Sequence, residues 1–117
     1  MTPNEYQTMA LRTEKNANGN GLSLLHNARL LNGLAGLNGE AGEAIDILKK
    51  HLFQGHDLDR EHLAKELGDV AWYLSVSADA LGYSLEEILK MNVEKLHARY
   101  PDGFEAERSV NREEGDL

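Results

Sequence analysis

The sequence predicts an all-α protein, an antiparallel bundle of four to five helices that is completed by homo-oligomerisation. The first observation is composition, since Leu, Ala and Glu are plentiful while Val, Ile and Thr are sparse, and this balance favours helix over strand. The second is that apolar residues recur at spacings of three and four through most of the chain. The third is length. A chain of 117 residues buries only part of its surface on folding, so association with further copies can complete its core.

The N-terminal residues predict a first helix over residues 3–15. Thr2 can cap the helix, Pro3 suits the first helical position, and Glu5 completes a capping box with Thr2. The run NANGNG at residues 16–21 predicts a turn, because Asn and Gly favour left-handed and turn conformations.

A long second helix is predicted over residues 22–53, followed by a turn with Gly55 as its C-cap residue. Its apolar residues fall on one stripe along the helix. The stripe consists of Leu30, Leu34, Leu37, Ala41, Ile45, Leu48 and Leu52.

Two further helices are predicted over residues 60–81 and 85–98. Gly82 ends the first of them and Pro101 forces the end of the second. We therefore expect a helical domain over residues 1–104 and a charged, mobile tail over residues 105–117.

Composition narrows the classes of function. The net charge is −8, from 12 basic and 20 acidic side chains, and general nucleic-acid binding relies instead on basic surface. The chain has no cysteine, which excludes thiolate chemistry and fits a cytoplasmic protein. No apolar run approaches the roughly 20 residues that a membrane span needs, so we expect neither a nucleic-acid nor a membrane partner.

Two acidic pairs are the strongest chemical signal. Glu40 and Glu43 are three residues apart, as are Glu66 and Asp69, so each pair lies on one helix face with Cβ atoms about 5–6 Å apart. Both pairs lie beside the apolar stripes of their helices, and two helices packed antiparallel would bring four carboxylates together. Converging carboxylates repel one another unless a cation joins them, and oxygen ligands suit Mg²⁺, with Mn²⁺ as a substitute.

Two alternatives remain open from the residues alone. In a metal-free helical dimerisation module, the acids would form salt bridges between subunits and the glycines would permit close packing. In a carboxylate-bridged iron protein, Glu94 and His97 would supply a Glu-x-x-His element, but such bundles use two of these elements.

Other residues have two interpretations each. Gly33 and Gly36 share the face of Glu40 and Glu43, where they permit either close helix packing or room for a flat ligand. Lys49 is either surface charge or a phosphate contact. Asn92, Lys95 and Arg99 share one face of the last helix, which is either a polar surface or a grip for a triphosphate, with Arg99 binding through its bidentate guanidinium.

Three blocks of the sequence, taken together, resemble the MazG-like nucleoside triphosphate pyrophosphohydrolases of the all-α NTP pyrophosphatase superfamily. The blocks are GEAGEAIDILKK, KELGDVAWYL and NVEKLHARYPDGF, and the resemblance covers roughly residues 30–104. It implies Mg²⁺ held by the two acidic pairs, a nucleoside triphosphate substrate, and a homodimer or homotetramer. Many members have a further Glu just before the first ligand, and this sequence has Gly39 there.

The resemblance also implies roles for individual residues. The K-L-x-x-R-Y-P block and its preceding Asn place phosphate contacts at Asn92, Lys95, Arg99 and Tyr100. The first helix and the start of the second help to form the base pocket in such proteins. The candidates there are Gln7, Asn32 and Gly36.

The expected reaction is Mg²⁺-dependent hydrolysis of a (deoxy)nucleoside triphosphate at the α-phosphorus, giving the monophosphate and pyrophosphate, for cleansing or control of a nucleotide pool. Glu43 is the preferred residue for the dual role of metal ligand and water-positioning base, but the sequence does not separate it from Glu40. A dUTPase-like preference within the same superfamily also stays open.

Overall fold

The computed structural model describes residues 1–14, 27–104 and 106–111, apart from the side chains of residues 107 and 108. This part of the chain is helical and contains no β-strand, as the sequence predicts. Its helices are α1 (Pro3–Leu11), α2 (Ala28–Gln54), α3 (Arg60–Ala80), α4 (Leu85–Arg99) and α5 (Ala106–Val110). Within these ranges, no helix combines the length and apolar character needed to cross a membrane.

The chain divides into two compact units, Met1–Leu85 and Glu86–Leu117. The first contains α1, α2 and α3, and the second contains most of α4 together with α5. The prediction of a domain boundary at residue 104 stays a prediction, as does completion of the bundle by further copies.

Helix α1 begins as the sequence predicts but ends earlier. The Thr2 side chain accepts from the Glu5 amide at 3.1 Å, and the Glu5 carboxylate accepts from the Thr2 amide at 3.1 Å, which completes the capping box. The helix stops at Leu11 because the Thr13 hydroxyl and amide both donate to the Ala10 carbonyl. That local turn takes the carbonyl that a continuing helix would use.

Helix α2 ends at a left-handed glycine. Gly55 has a φ of +75°, and its amide donates to the Lys50 carbonyl, so the predicted C-cap is confirmed. The predicted turn at 16–21 and the predicted helix start at 22 lie outside the described residues.

Helices α2 and α3 form an antiparallel hairpin across the short segment 55–59. Asp59 caps α3, its carboxylate accepting from the His62 amide at 3.0 Å. The antiparallel register follows from the contacts: Gly33 faces Ser77, and Gly36, one turn later, faces Tyr73, one turn earlier.

The packed face of α2 is the glycine face rather than the centre of the leucine stripe. Leu34, Ile45 and Leu52 of that stripe are each more than half exposed, whereas Gly33 is buried against α3. The centre of the apolar stripe of α2 therefore does not face α3. Glycines allow the backbones to approach closely, and this approach decides which face is covered.

Helix α1 packs on α3 through a buried amide. The Gln7 Nε2 donates to the carbonyls of Ser75 at 3.1 Å and Tyr83 at 3.3 Å, and its Oε1 accepts from the Leu85 amide at 2.9 Å. The Trp72 indole N–H donates to the Thr13 hydroxyl at 2.8 Å. The buried apolar residues of the described part of the chain are Ala10, Val76, Ala78 and Leu85.

An ion cluster lies at the start of α2, within the first unit. The Arg29 guanidinium forms a bidentate pair with Glu14 at 2.7 and 2.9 Å and a further bond to Asp79 at 2.9 Å. The Glu14 side chain is 5% exposed, so the cluster ties the segment after α1 to the beginning of α2 and the end of α3. Its charge-assisted bonds raise the pKa of Arg29 above its ordinary value.

Candidate metal centre

Three of the four predicted acids converge between α2 and α3. One carboxylate oxygen from each of Glu40, Glu43 and Glu66 lies within 4.8 Å of the others. Glu40 and Glu43 are one turn apart on α2, and the antiparallel hairpin brings Glu66 of α3 opposite them. The arrangement therefore arises from an i, i+3 pair on one helix and the register set by the neighbouring glycines.

Asp69, the fourth predicted acid, lies beside this cluster. It lines a cleft together with Glu40, and its charge contributes to raising the pKa of Glu40. It also raises the pKa of Tyr6, after the larger effect of burial. The Tyr6 hydroxyl lies 3.4 Å from the Gly68 carbonyl, which places α1 next to the acidic pair of α3.

Two carboxylate oxygens of the cluster are buried and lack a hydrogen-bond partner within the described part of the chain. They are Oε2 of Glu40 and Oε2 of Glu66, and the Glu66 side chain is only 12% exposed. A buried anionic oxygen without a partner is costly. A cation between the two helices would satisfy both.

The pKa of Glu40 also shows that a negative charge is unfavourable in the metal-free cluster. Burial, followed by the neighbouring carboxylates of Glu66, Glu43 and Asp69, raises the pKa of Glu40 to about 7. Without a cation, ionising this carboxyl places a further negative charge among like charges. A divalent ion bound between the carboxylates would reduce that repulsion.

The donor set fits a hard divalent cation. Every ligand atom is a carboxylate oxygen, the type preferred by Mg²⁺ and Mn²⁺. In an octahedral Mg²⁺ site, ligand oxygens are roughly 3–4 Å apart, and the present oxygens lie within 4.8 Å. Glu40, Glu43 and Glu66 are therefore the residues that would hold such an ion, with Asp69 adjacent.

Two clefts adjoin the cluster. The smaller, of about 320 Å³, is lined by Glu40, Asp69, Trp72 and Tyr73, and the two aromatic rings meet edge to face with centroids 4.9 Å apart. The larger, of about 550 Å³, is lined by Gly39, Gly42, Glu43, Asp46, Ile47, Lys50, His62 and Glu66. The cluster thus borders one cleft lined by two aromatic rings and one cleft lined mainly by charged side chains and glycines.

The larger cleft contains two side-chain pairs whose residues the sequence leaves open: His62 is predicted either near the acids or, by preference, in solvent, and Lys50 is predicted as either surface charge or a phosphate contact. The His62 Nε2 lies 3.2 Å from Oε1 of Glu66, and the Lys50 ammonium pairs with Asp46 at 3.0 Å. The latter pair holds the pKa of Asp46 below its ordinary value. Both are i, i+4 pairs, a spacing visible in the sequence, but only the hairpin register places them beside the cluster.

The structure assigns different surroundings to the other candidates of the first unit. Lys49 is exposed and lies 4.0 Å from Asp46, and Asn32 is exposed on α2. The open side of Gly36 is covered by the Tyr73 ring. The amide of Gln7 is used by backbone groups of Ser75, Tyr83 and Leu85, and its place in a base pocket stays a prediction.

The predicted phosphate contacts belong to the second unit. Asn92, Lys95 and Arg99 lie on α4, where their spacing does place them on one face. The Arg99 guanidinium carbon lies 6.0 Å from the centroid of the Tyr100 ring, which in turn lies 5.2 Å from the Phe104 ring. Their role towards phosphate stays a prediction.

Comparison with known proteins adds a family match and one curated relative. The MazG nucleotide pyrophosphohydrolase domain matches residues 29–104, a range that contains all four acids and the α4 block. The Gene 37 protein of Mycobacterium phage L5 is 38% identical over 72 residues, covering 58% of this chain. The chain spans 63% of the length of that protein. No solved structure matches the chain.

Proposed function

This chain belongs to the MazG nucleotide pyrophosphohydrolase family, and from that premise we propose that it hydrolyses a (deoxy)nucleoside triphosphate at the α-phosphorus in a Mg²⁺-dependent reaction. The products would be the nucleoside monophosphate and pyrophosphate. The single observation that carries the proposal is the convergence of Glu40, Glu43 and Glu66 oxygens within 4.8 Å. Such a cluster is suited to a divalent cation, which a triphosphate requires to neutralise its charge.

The chemistry of the proposed step is a displacement at phosphorus. When bound, Mg²⁺ neutralises phosphate charge and makes a coordinated water more acidic. Water attacks the α-phosphorus in line, the bond from this phosphorus to the α,β-bridging oxygen breaks, and that oxygen leaves with pyrophosphate. The chain must therefore orient the triphosphate, accept a proton from the water and stabilise the leaving group.

Glu43 is the residue that we propose as the proton acceptor. It is exposed and lines the larger cleft, so solvent water reaches its carboxylate. Glu40 is partly buried with one oxygen fully enclosed, which suits a ligand rather than a base in contact with water. A general base must lie within hydrogen-bond reach of the proton it takes, and Glu43 meets that requirement better.

Basic and aromatic residues would bind the rest of the substrate. Lys95 and Arg99, with Asn92 and Tyr100, are proposed to contact the phosphates and to stabilise the charge that develops on the leaving pyrophosphate. Lys49 is a further proposed phosphate contact. On the base side, Asn32 is proposed as a polar contact, and Gly36 contributes by admitting the Tyr73 ring that lines the smaller cleft.

We also propose that the protein is a homodimer or homotetramer. Leu34, Ile45 and Leu52 on α2 and Leu67 on α3 are each more than half exposed. Burying this apolar surface against further copies would be favourable. The support is the exposure itself together with the small size of the chain.

The test is product analysis with a matched pair of variants. The protein is incubated with Mg²⁺ and each standard and several damaged nucleoside triphosphates, and the products are separated by anion-exchange chromatography. Monophosphate with pyrophosphate is expected, with turnover lost in Glu43→Gln and kept in Glu61→Gln. Glu61 carries the same charge on an 81% exposed side chain of α3, so this control removes a carboxylate outside the cluster.

Three other outcomes would change the proposal. Diphosphate with orthophosphate would mean that the attacked phosphorus is wrong. Turnover of dUTP alone would favour a dUTPase-like enzyme. No turnover in folded protein, together with a melting temperature that Mg²⁺ does not raise, would favour a metal-free interaction module.

A further inference from the structure

We propose that His62 is a positioning residue that orients the Glu66 carboxylate towards the cation. The inference rests on the proposed function, because it assumes that the acid cluster binds Mg²⁺. It goes further by assigning a role to a side chain outside the four acids.

The two oxygens of the Glu66 carboxylate have different surroundings. The His62 Nε2 lies 3.2 Å from Oε1, and because a carboxylate only accepts, the imidazole donates from Nε2–H. The other oxygen, Oε2, is buried and has no partner among the described residues. One oxygen is therefore held, which fixes the orientation of the carboxylate and leaves the second free for an ion.

The backbone of His62 is itself held in place. The carboxylate of Asp59 caps α3 by accepting from the His62 amide at 3.0 Å. His62 is consequently fixed in the first turn of the helix, one turn before Glu66. The segment that follows α2 thereby sets the position of the imidazole relative to the cluster.

Burial separates this pair from the other i, i+4 pairs of the hairpin. Lys65 and Glu61 are 74% and 81% exposed, and such pairs contribute little. The His62 side chain is 55% exposed, but its acceptor Glu66 is 12% exposed. An exposed donor bound to a nearly buried acceptor restricts a carboxylate that cannot readily find water as a substitute.

The expected effect follows from the behaviour of groups that orient metal ligands. Removing such a partner typically costs about 10–100-fold in metal affinity. Loss of the His62 donor would let Glu66 rotate away from Glu40 and Glu43. Binding of the cation would then have to restrict the rotation of the Glu66 carboxylate, and this entropic cost would lower the Mg²⁺ affinity.

The experiment is calorimetric titration of Mg²⁺ into wild type, His62→Ala, His62→Gln and Glu61→Gln, without nucleotide. All four proteins are titrated in the same buffer at the same pH and ionic strength. We expect His62→Ala to raise the Mg²⁺ dissociation constant at least about tenfold. His62→Gln should restore most of the affinity, because its amide can donate one turn along the helix. Glu61→Gln, which breaks an exposed pair on the same helix, should bind as wild type does.

Melting temperatures of the metal-free variants separate positioning from folding. If His62→Ala does not fold, His62→Phe, which keeps a ring and removes the donor, replaces it. Unchanged Mg²⁺ affinity in the variant without a donor would overturn the inference, and so would an equal loss in Glu61→Gln. Wild type that binds no Mg²⁺ would instead overturn the proposed function, on which the inference depends.

Discussion

Two pairs of glycines along α2 have opposite surroundings. Gly33 and Gly36 face α3, where an added Cβ would overlap the Ser77 hydroxyl and the Tyr73 ring, respectively. Gly39 and Gly42, further along the helix, line the larger cleft, and nothing lies within 4 Å of a Cβ added there. One pair permits contact between helices, and the other leaves open space.

The difference explains where the carboxylates lie. Close approach at Gly33 and Gly36 fixes the register of the hairpin, and that register brings Glu40 opposite Glu66. Beyond this point α2 is open to the larger cleft, so Glu43 remains exposed. The cluster therefore lies where close packing gives way to open space, which combines enclosed ligand oxygens with access for a substrate.

The largest expected effect comes from removing a charge at this junction. Glu40→Gln should lower turnover and Mg²⁺ affinity by at least about a hundredfold, since even partners of ligands account for about 10–100-fold. In metal-free protein at pH 8, the same change should raise the melting temperature, because it removes a charge repelled by Glu43, Asp69 and Glu66. Calorimetry with and without Mg²⁺ measures both. A variant that is less stable without metal would show that Glu40 stabilises the metal-free fold despite this repulsion.

A methyl group added where α2 packs against α3 should destabilise the hairpin. Gly36→Ala would force the Tyr73 ring to move, and overpacking costs about 1–3 kcal/mol. The better helix propensity of Ala offsets up to about 1 kcal/mol, so net destabilisation is expected in urea unfolding. Stability at or above that of the wild type would mean that the ring moves freely and does not define the register.

The stability of metal-free protein should fall as pH rises from about 4.5 to about 7. Glu40 has its pKa raised from 4.5 to about 7 in the folded chain, so the folded state binds the extra proton. The stabilisation that this proton provides is fully present below pH 4.5 and is lost as the pH rises through about 7. Urea unfolding in EDTA should show this slope, and Glu40→Gln should reduce it. A slope of the opposite sign through this range in wild type would contradict the assignment.

The smallest effect is expected at the glycines of α2 that line the larger cleft. Gly42→Ala places its methyl group in free space and gains up to about 1 kcal/mol of helix propensity. Urea unfolding should therefore show slight stabilisation. Comparison with Gly36→Ala sharpens the contrast, because the chemical change is the same. Destabilisation at both positions would mean that the larger cleft is not open in solution.

The sequence predicts the helices well because their limits depend on local chemistry. The Thr2–Glu5 capping box, the Gly55 C-cap and the Asp59 N-cap each involve residues within one turn of a helix end. The acidic pairs are equally local, since their i, i+3 spacing alone places them on one face.

Local sequence does not predict which face of α2 packs against α3. Periodicity shows that the helix has a leucine face and a glycine face, but not which of them meets α3. Leucine burial favours one face and close backbone approach favours the other, and only the hairpin decides between them. The His62–Glu66 contact has an i, i+4 spacing that the sequence shows. The use of the Gln7 amide by backbone groups of Ser75, Tyr83 and Leu85 follows from tertiary packing, so spacing does not reveal it.

The hydrogen bonds of the Gln7 side chain have a consequence for hydrogen exchange. The Leu85 amide begins α4, where first-turn amides lack a helical acceptor and ordinarily exchange quickly. Here its acceptor is the Gln7 side chain, 78 positions earlier in the chain. Deuterium uptake at the Leu85 amide therefore reports how often α1 detaches. In Gln7→Ala, the protection of this amide should vanish. The amides in the middle of α3 should remain protected in the same variant.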